Sequence, residues 1–213
     1  MRFGWRLTKM SELVDRFRAS MNIDYEKWHD GIGYDIDLIP QMSPKEIAEV
    51  ERIMLGRGVM DWRDLEALDA LGTIRSLDLI DHTRAHGSAE LKVHAMRYGR
   101  PLDAKATEDG IIEGLRNTEF YGGLTQALDQ AAESDSPRVQ AELFRMARDK
   151  VGDGSYQAVA ILYARFGKIS SQWDFSRRDF FLRFVGPVTE DRKQAFLEMC
   201  AELGVDPDQA CQA

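Results

Sequence analysis

Asp61–Arg100, DWRDLEALDALGTIRSLDLIDHTRAHGSAELKVHAMRYGR, carries the pattern from which the fold class follows. Apolar residues recur in it at helical spacing through three segments parted by single breakers. Leu65, Leu68 and Leu71 form one stripe, Leu77 and Ile80 a second, and Leu91, Val93 and Met96 the inward side of a third. Gly72-Thr73 and Gly87-Ser88 interrupt the pattern where one helix should stop and the next be capped. Short antiparallel helices stacked on one another have this grammar, so the expected class is all-α.

Upstream, Ser43-Pro44-Lys45-Glu46 is a capping box: Ser43 caps, Pro44 has the preset φ of a first helical position, and Glu46 can reach back to the Ser43 amide. A helix to about Leu55 follows, with Ile47, Val50, Ile53 and Met54 inward, and Asp61 caps the next. Thr8–Ser20 reads as an amphipathic helix with Met10, Leu13, Val14 and Phe17 on one face. Between them, Asp24–Pro40, DYEKWHDGIGYDIDLIP, follows neither period and gathers three large aromatics, one histidine and five acids around Gly31 and Gly33. Segments of this kind carry function more often than helices do, because a scaffold can hold exposed side chains without packing them. The plainer alternative is that Tyr25, Trp28 and Tyr34 seal an open end of the helical stack.

Downstream, Pro101–Thr107 reads as a turn and Glu108–Asn117 as a helix carrying Ile111, Ile112 and Leu115. Thr118 is expected to start another, with Phe120, Tyr121, Leu124 and Leu128. Gly122-Gly123 inside it costs about 1 kcal/mol per glycine against alanine, which calls for either a close helix approach or a bend. Ser134-Asp135-Ser136-Pro137 is a stop and a fresh cap, Gly152-Asp153-Gly154-Ser155 repeats the device, and the run Ala158–Phe166 is apolar nearly all round and hence central. Trp173–Phe184 concentrates five aromatics with three arginines, which fits either an aromatic cap with its arginines paired to acids or a nucleic-acid or interface surface. Thr189 opens a last helix, ended by Gly204.

The composition bounds the rest. A chain of 213 residues can bury a full core, and 30% charged with 44% hydrophobic residues is a globular helical profile. A net charge of −8 disfavours nucleic acid and anionic membranes as whole-molecule partners. There is no apolar run of about 18 residues and no secretory leader, so a cytoplasmic location is expected. Met10 is a second candidate translation start. Cys200 and Cys211 have no CxxC companion or histidine cluster and read as free thiols. Three organisational parts are expected within one continuous domain: N-terminal helices and an aromatic, acidic loop over 1–60, helical repeats over 61–167, and an aromatic segment with a final helix over 168–213.

Two segments, His86–Val93 and Ser134–Ala141, align as turn, cap and helix burying valine or alanine, and Asp153–Ala160 is a looser third copy. Their spacing is near the roughly 40–47 residues of HEAT and armadillo units. With the A-L-x-x-L-G-T-x-x-S-L-D-L-I pattern of Ala67–Ile80, the chain resembles a degenerate HEAT-repeat, armadillo-type α-solenoid over about Asp61–Gly167. The resemblance implies a short α-α superhelix with capping segments at both ends. Some small bacterial proteins of that build serve as immunity partners of toxins. The mid-helix proline and the regular Asp/Arg ladder of HEAT units are absent, as are the His-Glu dipeptides of HEAT-like di-iron hydroxylases.

For chemistry, Asp78, His82 and His86 stand at i, i+4, i+8 and lie along one side of a helix, where neutral imidazoles one turn apart can share a metal. Glu26 and His29 make a lone ExxH. The function that fits best is protein binding through an acidic face, an immunity-type neutralisation of a basic partner, without a cofactor. Its expected contacts are Trp28, His29, Asp30, Tyr34, Asp35 and Asp37, with the acids Asp64 and Asp78 exposed beside them. The alternative is a helical enzyme, acid/base through His29 or Asp30 or metal-dependent through His82 and His86.

Overall fold

The computed structural model describes residues 11–212, and at 120 and 121 the backbone alone. The start of the helix expected from Thr8, Met10 included, lies outside the described residues, as do the side chains of Phe120 and Tyr121. Among the described residues every regular element is helical and no strand occurs, so the chain is all-α. No helix among them is long and apolar enough to cross a membrane. The chain divides into two compact units, and the division falls inside Asp61–Arg100. The first holds the described residues to Gly87 together with Arg97–Pro101; the second holds Ser88–Met96 and the chain from Leu102 on.

The first unit contains α1 (Glu12–Ser20), α2 (Tyr25–His29), a 3-10 turn (Ile36–Gln41), α3 (Pro44–Arg57), α4 (Trp62–Leu71) and α5 (Ile74–His86). The capping box forms as the sequence predicts: the Ser43 amide donates to Glu46 Oε2 at 2.7 Å. Hydrogen bonds from Ser11 and then Ser43 hold the Glu46 carboxyl down to about 2. Gly72 ends α4 in the left-handed conformation at φ +59°, which a side chain would resist, and Thr73 at once caps α5. The core joins Val14 and Phe17 of α1, Leu38 and Ile39, Val50 and Met54 of α3, Leu65 and Leu68 of α4, and Ile80 of α5. Each such side chain contributes about 1.5–3 kcal/mol through burial. Two short elements, α2 and the 3-10 turn, occupy the segment that shows no period.

The second unit contains α6 (Ala89–Ala95), α7 (Ala104–Asn117), a π turn (Phe120–Leu124), α8 (Thr125–Glu133), α9 (Pro137–Asp149), α10 (Asp153–Arg165), a 3-10 turn (Phe175–Arg177), α11 (Arg178–Leu182) and α12 (Glu190–Leu203). Its core runs from Val93 through Leu115, Leu128, Leu143, Phe144 and Tyr163 to Phe181, Phe184 and Met199. The run expected to be central is so: Ala158–Tyr163 is buried throughout. Two boundaries differ from expectation. Helix α7 starts at Ala104, since Asp103 caps it by accepting from the Ala106 amide at 2.7 Å. Thr118 ends α7 and starts nothing, its hydroxyl donating back to Gly114 O at 2.6 Å. At Gly122-Gly123 the bend and the close approach both occur. Gly123 has φ +99°, and a Cβ there would stand 3.1 Å from Cα of Glu90 in α6.

Long cations close three of this unit's helices at their C-terminal ends, where unpaired carbonyls concentrate negative charge. Lys150 Nζ donates to Leu115 O at 2.8 Å and Thr118 O at 3.3 Å at the end of α7. Arg165 Nη2 donates to Ala131 O at 2.7 Å and Ser134 O at 2.6 Å at the end of α8. Arg192, 1% exposed, donates to Ala147 O at 2.8 Å and to Lys150 O at the end of α9, and to Gly186 O at 2.6 Å. Burial pushes the pKa of all three downward, the direction expected when a cation leaves water.

Candidate functional site

The non-periodic segment builds an aromatic surface on a rigid socket. Asp24 caps α2 by accepting from the Lys27 amide at 2.9 Å, and Lys27 Nζ reaches back to Asn22 O at 3.1 Å. A five-residue helix is far too short to persist by itself. Nor is any side chain of α2 buried among the described residues. Tyr25 is 74% and Trp28 62% exposed, with ring centroids 6.1 Å apart, and Ile32 beside them is 49% exposed. Tyr25 also meets the His29 ring at 6.0 Å, and His29 Nδ1 lies 3.0 Å from Asp30 Oδ1.

What holds this surface comes from α1, α3 and α4. Arg63, 2% exposed, donates Nε to Ile32 O at 2.6 Å, pairs with Asp61 at 3.1 Å, and lies over the Trp62 ring at 4.7 Å. Ser20 Oγ accepts from the Asp35 amide at 3.0 Å. Tyr34 turns inward, edge-on to Phe17 at 6.3 Å, and donates its hydroxyl to Asp64 Oδ1 at 3.1 Å. Burial, and then the Asp64 charge, raise the Tyr34 pKa, so the phenol remains a donor. Asp64 is fully buried and further accepts from Arg57 Nε at 2.9 Å, from the Met60 amide at 2.9 Å and from the Asp61 amide at 3.2 Å. Every lone-pair direction of that carboxylate therefore faces a donor.

These placements sort the expected contact residues. Trp28, His29, Asp30, Asp35 and Asp37 lie on the surface of one segment. Tyr34 and Asp64 do not: both are interior, and the expectation that Asp64 is an exposed acid is corrected, because three further donors beside Tyr34 draw it inward. Asp78 is exposed on α5 but faces Arg100, whose Nη2 stands 2.7 Å from its Oδ1, and Arg100 also pairs with Asp81. Asp78 thus lies with those two groups and apart from the aromatic surface in sequence and element. Tyr25 and Ile32 belong to the exposed surface, and Arg63 to its socket, though sequence reasoning did not select them as contacts. Beside the surface a groove of about 340 Å³ opens between Arg16, Ala19, Ser20, Lys27, Ile32, Gly33 and Asp35.

Over 11–41 there are seven carboxylates against three basic side chains, so the surface is acidic, with Arg16 and Lys27 as local exceptions. Asp78, His82 and His86 do not converge as a three-ligand set, and no group of three or more His, Cys, Asp and Glu among the described residues is placed to hold a metal ion. The aromatic segment of the second unit is mostly structural. Phe181 and Phe184 are fully buried, while Arg177 pairs with Glu202 at 2.6 Å and Arg183 with Asp191 at 2.7 Å and Glu198 at 2.6 Å. Those two guanidiniums are spent on carboxylates, which removes them from phosphate recognition; Trp173 and Phe175 stay exposed. Cys200 and Cys211 are free and buried, and burial raises the Cys200 thiol to about 12. No protein-family model, no curated protein and no solved structure matches the chain.

Proposed function

We propose that the chain is a protein-binding module whose contact surface is the Tyr25–Trp28–Ile32 patch with its border of acids. One observation carries the reading: α2 turns two large aromatic rings into solvent while buried Arg63 of α4 fixes the backbone just beyond it, at Ile32 O. Rigid, exposed tyrosine and tryptophan supply contact area at low entropic cost and are the residues that dominate interface energetics. The surrounding Asp24, Glu26, Asp30, Asp35 and Asp37 favour a basic partner, whose arginines or lysines can lie over the rings while the acids speed encounter. An immunity-type role, covering a basic surface of a toxin, is the finer form of this proposal. It draws on the HEAT-like resemblance, and what supports a two-layer stack is the packing in the second unit, where α7 meets α9 and α8 meets α10.

The test is capture by wild type, by Tyr25→Ala/Trp28→Ala and by Asp30→Lys/Asp35→Lys/Asp37→Lys at low and high salt. A partner held stoichiometrically by wild type should be lost from the aromatic variant at both salts. The charge variant should lose it mainly at low salt, since screening already removes that attraction at high salt. Equal retention by all three proteins at both salts would dispose of the reading.

A further inference from the structure

The histidines of α5 are used by nothing described so far. His82 and His86 stand one turn apart, both exposed, with ring centroids 4.7 Å apart and planes at 48°. An ion bonded to an imidazole nitrogen at about 2.0–2.1 Å lies about 3.2 Å from that ring's centroid. Bond angles between 90° and 109° at the ion then require centroids about 4.5–5.2 Å apart. The observed separation of 4.7 Å falls inside that window. Both residues sit in the last part of α5, which ends at His86, so the carbonyl end of the helix adds a field that attracts cations. The nearby acids do not cancel the site by closing it: Asp78 and Asp81 are turned to Arg100, and Asp81 also to Arg84.

We infer that His82 and His86 form a two-imidazole chelate for a divalent late transition-metal ion, with Cu²⁺ and Ni²⁺ preferred over Zn²⁺ and water completing the coordination. Two neutral nitrogens without a thiolate suit these ions, and the general affinity order places copper first. Chelation requires both rings, so the two histidines act as a unit. The inference is independent of the partner-binding surface, which it shares no residue with.

The experiment is isothermal titration of the full-length, untagged chain with Cu²⁺, Ni²⁺ and Zn²⁺, alongside His82→Gln, His86→Gln and, as a control, His29→Gln/His94→Gln. One equivalent of Cu²⁺ should bind to wild type and to the control alike. Each single α5 variant should bind at least about tenfold more weakly, and to a similar degree, as loss of a chelate demands. Circular dichroism verifies that each variant is folded, and glutamine at an exposed helical position keeps helix propensity. Wild-type affinity retained in either α5 variant, or no stoichiometric binding of any of the three ions to wild type, would overturn the proposal. Loss of binding in the control variant instead would move the site to His29 or His94 and overturn it as well.

Discussion

Asp64 in the first unit and Arg192 in the second are buried charges that meet opposite ends of helices. In the first, the Asp64 carboxylate is buried at the N-terminus of α4, met by the amides of Met60 and Asp61, four and three residues away. In the second, long cations stand at helix C-termini, and the buried Arg192 reaches carbonyls 42 to 46 residues away. Both arrangements answer the macrodipole with the correct sign. They differ in what they join: the acid gathers two amides of its own turn with Arg57 and Tyr34, whereas the cations tie the ends of helices to residues 31 to 46 positions away. The carboxylate positions a surface segment through Tyr34, 30 residues upstream, while the cations secure a core.

Substitutions at these two charges test the contrast. Arg192→Ala leaves the carbonyls at the end of α9 without a buried donor and should destabilise by about 3–5 kcal/mol, read as a shift in urea midpoint. Arg192→Lys should recover only part of it, because an ammonium lacks the fork that spans several carbonyls. Asp64→Ala strands Arg57 and two amides and should cost about 2–3 kcal/mol. It should also loosen the segment around Tyr34, visible as faster amide exchange at Ile32–Ile36. If Asp64→Ala proved as costly as Arg192→Ala while leaving that exchange unchanged, the distinction between positioning a surface segment and securing a core would fail. Ser136→Ala, the loss of an ordinary cap on α9, should cost about 1 kcal/mol.

The smallest effect concerns acid. Desolvation alone would raise the Glu142 pKa, but hydrogen bonds from Arg116 at 2.6 Å and Arg145 at 2.7 Å outweigh it and hold the carboxyl below its ordinary value. A depressed folded pKa contributes stability fully above the unfolded value of 4.5 and loses it as pH falls through the folded one. The stability gap between wild type and Glu142→Gln should therefore narrow as pH falls from about 5 into the acid range. A gap that stayed constant over that range would show that the pair contributes through packing alone.

Separation along the chain explains what could be read in the sequence. The caps Ser43, Asp61, Thr73, Ser88, Ser136 and Thr189 were legible because each acts on an amide two or three residues ahead. Asp24–Pro40 stood out by lacking a period, and it does carry the exposed aromatics. Its short helix α2 was not legible, since five residues are too few to establish a repeat. Arg63 was invisible as a support, because its acceptor, Ile32 O, is 31 residues upstream. Asp64 looked like any acid on a solvated face: position i+3 from Asp61 predicts a capping box, but the inward pull of Arg57 and Tyr34 depends on tertiary approach. The roles of Lys150, Arg165 and Arg192 escaped for the same reason.

The reach of Arg192 also orders events during synthesis. Helix α9 leaves the ribosome complete at Asp149, yet the side chain that secures its end is encoded more than forty codons later. Until that residue emerges, the carbonyls of Ala147 and Lys150 must be satisfied by water, and the second unit stays open where it will later be most tightly closed. The Asp64 carboxylate needs no such delay, because every donor to it is made before α4 is finished. The nascent chain can thus set its aromatic surface in place while the rest of the protein is still being translated.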